Sequence, residues 1–211
     1  ILFGFEDSPP EQRTRDREID VHHIKINVTV DLLSETVYGY VIHTFSPLSS
    51  SLKMFELDAS DMNINRVRMK NKDISFNHIA DKLIISLNQP VSWNDTIAVK
   101  IDYIAYPKKG VYFVKPDDIY PNKPYQAWTQ GEDQDNHHWV PIYDYPNERS
   151  TFETILTVNQ KYKAVSNGEL VSTTLNDDNT HTWHWRENFP MVPYLISFVV
   201  GDYVKIEDMY K

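Results

Sequence analysis

Apolar and polar residues alternate along most of this chain. In HIKINVTVDL (23–32), Ile24, Ile26, Val28, Val30 and Leu32 fall on one face, and Lys25, Asn27, Thr29 and Asp31 on the other. That period of two predicts a half-buried strand. TVYGYVIHTF (36–45) follows across a short turn at Ser34–Glu35, which predicts a hairpin. The pattern continues over 51–59, 64–69, 73–76, 82–87 and 96–105, and resumes over 151–158, 162–171, 181–188 and 194–203. Turn residues recur at intervals of roughly 8–12, the rhythm of a β-sandwich. Asn167–Gly168 carries the signal of a type I′ hairpin turn. No segment offers an amphipathic helix. Residues 1–20 become polar, charged and proline-containing from residue 7 and read as a mobile lead-in. The expectation is an all-β, antiparallel multi-sheet sandwich forming a single domain over residues 21–211, interrupted by one long irregular loop over 106–150.

Composition narrows the function classes. The 211 residues contain no cysteine, which removes disulfides and thiolate chemistry without fixing a compartment. A net charge of −9 with no Lys/Arg-rich run argues against nucleic acid as a partner. No apolar run approaches the roughly 20 residues that span a bilayer, so no transmembrane segment is predicted. The opening residues lack the pattern of a secretory signal, and localisation stays open. Asn27 and Asn94 sit in glycosylation sequons, a match expected by chance in a chain this rich in asparagine.

The loop is the chemically unusual part. QAWTQGEDQDNHHWVPIYDYPNERS (126–150) has neither strand alternation nor a helical stripe, and its tryptophans and tyrosines argue against disorder. His137 and His138 are neighbours, so their side chains are expected to point apart, as are those of His22 and His23. His181 and His184 fall on opposite faces of a strand. None has the spacing of a zinc site, and no nucleophile elbow or phosphate loop is present. What remains is acid: between 117 and 148 there are seven carboxylates against one lysine, a net of −6. Such a loop could hold a cation, such as a substrate amine. Two plainer readings stand beside it. Thr129-x-x-Glu132 fits a helix capping box, and Asp144–Asn147 is a turn by composition.

WTQGEDQDNHHWVPIYDYPN resembles the N-terminal domain signature of the aminopeptidase N family of zinc metallopeptidases. The family's T-Q-x-E tract corresponds to Thr129–Glu132, and its aromatic-x-Pro-Cys-x-Asp-x-Pro tract to Trp139–Pro146. HHIKINVTVDLLSETVYGYV, KKGVYFV, NGEL and FPMVPYLISFVVGDY are similar to its other strands, in order. The resemblance implies a saddle-shaped β-domain preceding a zinc-bearing catalytic domain whose G-x-M-E-N and H-E-x-x-H tracts do not occur in this chain. It implies zinc in that missing domain, none in this chain, and no catalytic residue here. It assigns Glu132 as the anchor for a peptide's free α-amine and Gln130 as a residue lining the first side-chain pocket. Thr129, Gly131, Pro141, Asp144 and Pro146 would shape the loop. The partners implied are a peptide N-terminus and the catalytic domain of the same polypeptide. Ile142 stands where the family often has cysteine and is expected to fill the same buried space. Epoxide-hydrolysing relatives carry glutamine at the place of Glu132, so glutamate favours a peptidase. Two other classes remain: a scaffold module derived from the same family, and a carbohydrate-binding sandwich using exposed aromatics.

Overall fold

The computed structural model describes residues 14–209. Its fifteen strands, in chain order, are β1 (Ile19–Asp31), β2 (Thr36–Pro47), β3 (Leu52–Asp58), β4 (Met62–Met69), β5 (Lys72–Asp73), β6 (Phe76–Ile79), β7 (Lys82–Val91), β8 (Ile97–Ala105), β9 (Val111–Val114), β10 (Gln126–Thr129), β11 (Ser150–Asn159), β12 (Lys163–Ser166), β13 (Glu169–Leu175), β14 (Thr180–Met191) and β15 (Phe198–Gly201). They form an eight-stranded sheet in the order β13-β14-β11-β1-β2-β8-β4-β5, a four-stranded sheet β12-β15-β10-β9 and a three-stranded sheet β3-β7-β6. The all-β sandwich expectation holds, with one amendment to the antiparallel pairing: β1 lies parallel to β11, His23 opposite Thr151 through Thr29 opposite Thr157. Among the described residues no helix is long and apolar enough to cross a membrane.

One core joins the apolar sides of all three sheets. Strand β1 contributes Ile24, Ile26, Val28 and Val30, as the alternation predicts, but also Ile19 and Val21, which have the opposite parity. A bulge between Val21 and His23 resets the register, so both sets face inward. The sheets are pinned to each other by Phe45 of β2 and Phe55 of β3, both buried, whose rings meet edge-on at 4.7 Å.

Several predicted segments break where two sheets meet. The segment 73–76 divides between β5 and β6, which belong to different sheets. The segment 162–171 likewise divides into β12 and β13, so Asn167–Gly168 is a corner between sheets and no hairpin. Gly168 alone of the pair has a positive φ, 81°, whereas a type I′ turn needs both. Of 194–203, residues 198–201 are strand, and Pro193–Leu195 forms a 3-10 turn. The loop 106–150 is not strandless: β9 and β10 pair with each other inside it. The lead-in lies partly outside the described residues. From Thr14 on it is tied to the body, with Arg15 paired to Glu56 and Asp58, Arg17 paired to Glu148, and β1 already begun at Ile19.

The Phe45–Phe55 contact predicts its own cost. Phe45→Ala should remove about 3–5 kcal/mol of stability in urea unfolding of the chain. A loss below about 1 kcal/mol would show that the sheets are held elsewhere.

Candidate functional site

Strand β10 carries the chain to the acidic loop between β9 and β15. At its end the Thr129 hydroxyl accepts a hydrogen bond from the Phe198 N–H at 2.9 Å and donates to the Phe198 carbonyl at 3.3 Å, completing the pairing with β15. No helix begins here, so the capping-box reading fails: the Thr129 side chain is committed to β15, and Glu132 caps nothing. The Gln130 N–H then donates to the Gly110 carbonyl at 2.9 Å, and the Asp135 N–H to the Gly131 carbonyl at 2.9 Å. Gly131 presses so closely on its neighbours that a Cβ there would lie 2.5 Å from the Tyr194 carbonyl oxygen and 2.7 Å from the Asn136 amide. A side chain at 131 would therefore push the turn off its seat. The side chains of Gln130 and Glu132 point outward, exposed, and make no hydrogen bond or ion pair among the described residues.

The base of the loop is built from buried polar groups. Asn136 and Trp139 are wholly buried, and the Trp139 indole N–H donates to Asn136 Oδ1 at 2.8 Å. The rings of His137 and His138 do not diverge as expected. The 3-10 turn at Asn136–His138 brings them to 4.5 Å, each facing its own carboxylate. His138 Nδ1 lies 2.7 Å from Asp61, and His137 Nδ1 lies 3.0 Å from Asp144 Oδ2, which also accepts the His137 N–H. Burial alone would lower the His137 pKa, but the bond to Asp144 and the charges of Asp144, Asp58 and Asp81 outweigh it and hold the pKa above the ordinary value. Asp144 is itself buried, and its N–H donates to Asp58 Oδ2 at 2.9 Å. Ile142, also buried, pairs backbone to backbone with Asp58. Pro146 is exposed in the turn that the Glu148 N–H closes onto the Tyr145 carbonyl at 3.2 Å.

Most of the loop's charge is thereby committed to the fold. Asp117 pairs with Lys123, Asp144 with His137, Glu148 with Arg17, and Asp135 lies 3.9 Å from His138 Nε2, four of the seven acids. Glu132 and Asp133, at the tip, have no such partner among the described residues, nor has Asp118. Beside the tip is an open hollow of about 380 Å³, with Gln130 and Glu132 on one wall and Asn167, Met191, Tyr194 and Leu195 on the other. Among the described residues no group of three His, Cys, Asp or Glu is arranged to hold a metal ion.

One structural feature escapes the sequence pattern. Tyr112, Trp128, Val199 and Val165 stand directly across all the strands of the four-stranded sheet. All four are exposed, at 40%, 38%, 36% and 41%, and Tyr112 stacks on Trp128 at 4.6 Å. The row leaves a contiguous apolar strip open on one face of that sheet. Alternation within each short strand cannot reveal it, because the row runs across strands far apart in sequence.

Comparison with known proteins now decides the lineage. A family model described as the peptidase M1 N-terminal domain matches residues 20–195. The chain belongs to that family. Leucine aminopeptidase 2 of Candida glabrata is 23% identical over 89% of this chain, and leukotriene A-4 hydrolase of Xenopus laevis is 24% identical over 91%. Transcription initiation factor TFIID subunit 2 of Danio rerio is 24% identical over 98%. This M1 chain spans 29%, 33% and 20% of those three relatives respectively. It also superposes on the M1 zinc metallopeptidase of Deinococcus radiodurans with a TM-score of 0.77 at 20% identity, covering 88% of this chain and 42% of that one. That likeness is one of fold.

Burial of His43 against the loop predicts a pH dependence of the fold's stability. His43 is buried on the core side of β2, and its Nε2–H donates to the Pro141 carbonyl at 2.8 Å while Nδ1 finds no partner. Burial lowers its pKa from 6.5 to about 4, the bond to Pro141 opposing only weakly. The unfolded chain therefore takes up this proton below about pH 6.5 and the folded chain does not until about 4. Stability from this group is present above pH 6.5 and falls as pH drops through that window, by about 3 kcal/mol in total. His43→Gln should flatten the decline between about pH 7 and 4.5 in urea unfolding. An unchanged slope would mean that the ring titrates normally.

Proposed function

We propose that this chain is the substrate-positioning domain of a zinc aminopeptidase, with residues 21–211 as the domain and the zinc in another part of the same polypeptide. The observation that carries this reading is the contrast within the loop. Asp144 and Glu148 are tied into the fold, whereas Glu132 is offered to the outside from a turn that is itself tightly seated. A carboxylate held out in this way suits an ammonium ion, and each charged hydrogen bond it makes contributes about 1.5–3 kcal/mol. A free peptide N-terminus presents such an ammonium at the chain end, so Glu132 would select that end and set the register of cleavage. Gln130, on the same wall of the hollow, would face the first side chain. Thr129, Gly131, Pro141 and Asp144 hold the turn's shape through their contacts with β15, Tyr194, His43 and His137, and Pro146 shapes the bend at the loop's far end. Zinc in the missing domain would supply the activated water. This chain's residues orient and do not react, so the isolated 211 residues should be inactive.

The apolar row Tyr112–Trp128–Val199–Val165 supports the partner in this reading. It lies in the sheet whose strand β10 leads directly into Gln130 and Glu132, so a catalytic domain seated on it would lie close to them. A scaffold derived from the family would use the same row, and the relative named as a transcription factor subunit gives that alternative its place. Zinc content separates the two: about one equivalent per molecule of the full-length protein supports the peptidase, and none supports the scaffold.

In the full-length protein Glu132→Ala should lower kcat/KM about 10- to 150-fold for peptides with a free amine, the equivalent of about 1.5–3 kcal/mol. A change under twofold would remove Glu132 from the binding of substrate. Val199→Asp should weaken the seat of the second domain, lowering activity and opening the protein to limited proteolysis between domains. Unaltered digestion would place the contact elsewhere.

A further inference from the structure

The turn that carries Glu132 owes its tight seat to neighbouring segments. Its backbone is held by the bonds from Gln130 to Gly110 and from Asp135 to Gly131, and its far side leans on Tyr194 through Gly131. The segment 193–197 is thus the wall against which the turn rests, and two asparagines hold that wall. Asn136 Nδ2 donates to the Pro193 carbonyl at 2.7 Å and to the Ile196 carbonyl at 3.0 Å. Asn167 Nδ2 donates to the Leu195 carbonyl at 3.1 Å, and its Oδ1 accepts the Ser197 N–H at 2.8 Å. Four backbone groups within five residues are therefore engaged by two side chains.

Asn136 is the more telling of the pair. It is wholly buried, where an amide costs free energy unless every polar atom is paired. Its two donors and its acceptor are all used, the acceptor by Trp139. An apolar residue could fill the space but could not fix two carbonyls at set distances. The amide also touches the Gly131 position directly.

We infer that Asn136 and Asn167 form an amide clamp that positions Glu132, acting through the 193–197 segment and Gly131. Neither asparagine need touch the substrate amine; they are positioning residues. The inference rests on the reading of Glu132 as the amine anchor.

The test is a double-mutant cycle in the full-length protein, with a free-amine aminoacyl anilide as substrate. Asn136→Ala alone should lower kcat/KM about tenfold. In the Glu132→Ala background the same change should cost less than twofold, because a displaced anchor and an absent anchor are equivalent. Additive losses in kcat/KM would overturn the clamp, since a purely structural asparagine would damage both backgrounds alike. So would a lowered melting temperature with kcat/KM intact. Asn167→Ala must show the same non-additivity. It lies at the rim and releases Leu195 and Ser197 without opening the core, so it decides the matter if Asn136→Ala does not fold. Failure of the anchor reading appears separately, as a flat response to Glu132→Ala alone, and would overturn the clamp with it.

Discussion

The carboxylate of Asp58 is the point on which the other parts of this structure converge. It sits at the end of β3, almost wholly buried, and accepts the Asp144 N–H at 2.9 Å, the Lys82 ammonium at 2.6 Å and the Arg15 guanidinium. Its backbone forms the bridge to Ile142. One side chain thus binds the lead-in, the three-stranded sheet and the far limb of the acidic loop. Burial would push its pKa up, but the bonds to Lys82, the Asp144 N–H and Arg15 prevail and hold it below the ordinary range. Two cations and a backbone donor around one buried charge is the arrangement in which an ion pair is hard to dispense with: removing the acid would leave the buried Asp144 N–H without its acceptor and Arg15 and Lys82 with Glu56 alone.

Much of the architecture is legible in the sequence because alternation is a direct print of one-sided burial. Ile24 to Val30 on β1, and the corresponding runs on β2 and β8, could be assigned to a face without a structure. The errors share a cause. Asn167–Gly168 has hairpin chemistry, but β13 beyond it joins a different sheet from β12, and local turn propensity carries no information about which sheet a strand enters. β9 and β10 are four residues each, too short for a period to declare itself, and they are fixed by long-range pairing with β15 and with each other. The histidine pair came together because a 3-10 turn replaced the extended backbone that adjacency suggested.

The site was legible to a different degree. Charge counting located the acidic loop but could not tell a committed carboxylate from a free one. Asp144 and Glu132 look alike in composition; the difference is that Asp144 has His137 and a buried position, and Glu132 has neither. The assignment of Gln130 and Glu132 came from resemblance to a family, and the geometry supplies the physical distinction that the resemblance lacks. Asn136 carried no sequence signal at all. An asparagine beside glutamine, aspartates and histidines reads as surface, and only its complete burial reveals otherwise.

The parallel pairing of β1 with β11 bears on how the molecule is made. His23 meets Thr151 across 128 residues of chain, so during synthesis the β1–β2 hairpin emerges long before its second neighbour exists. Contacts that distant slow folding, because the loop must close before the pairing rewards it. In the interval the outer edge of β1 presents unpaired N–H and carbonyl groups above a row of isoleucines and valines, an invitation to wrong partners. The eight-stranded sheet is therefore complete only when the last third of the chain is available. Until then that edge of β1 stays open to pairing with another chain.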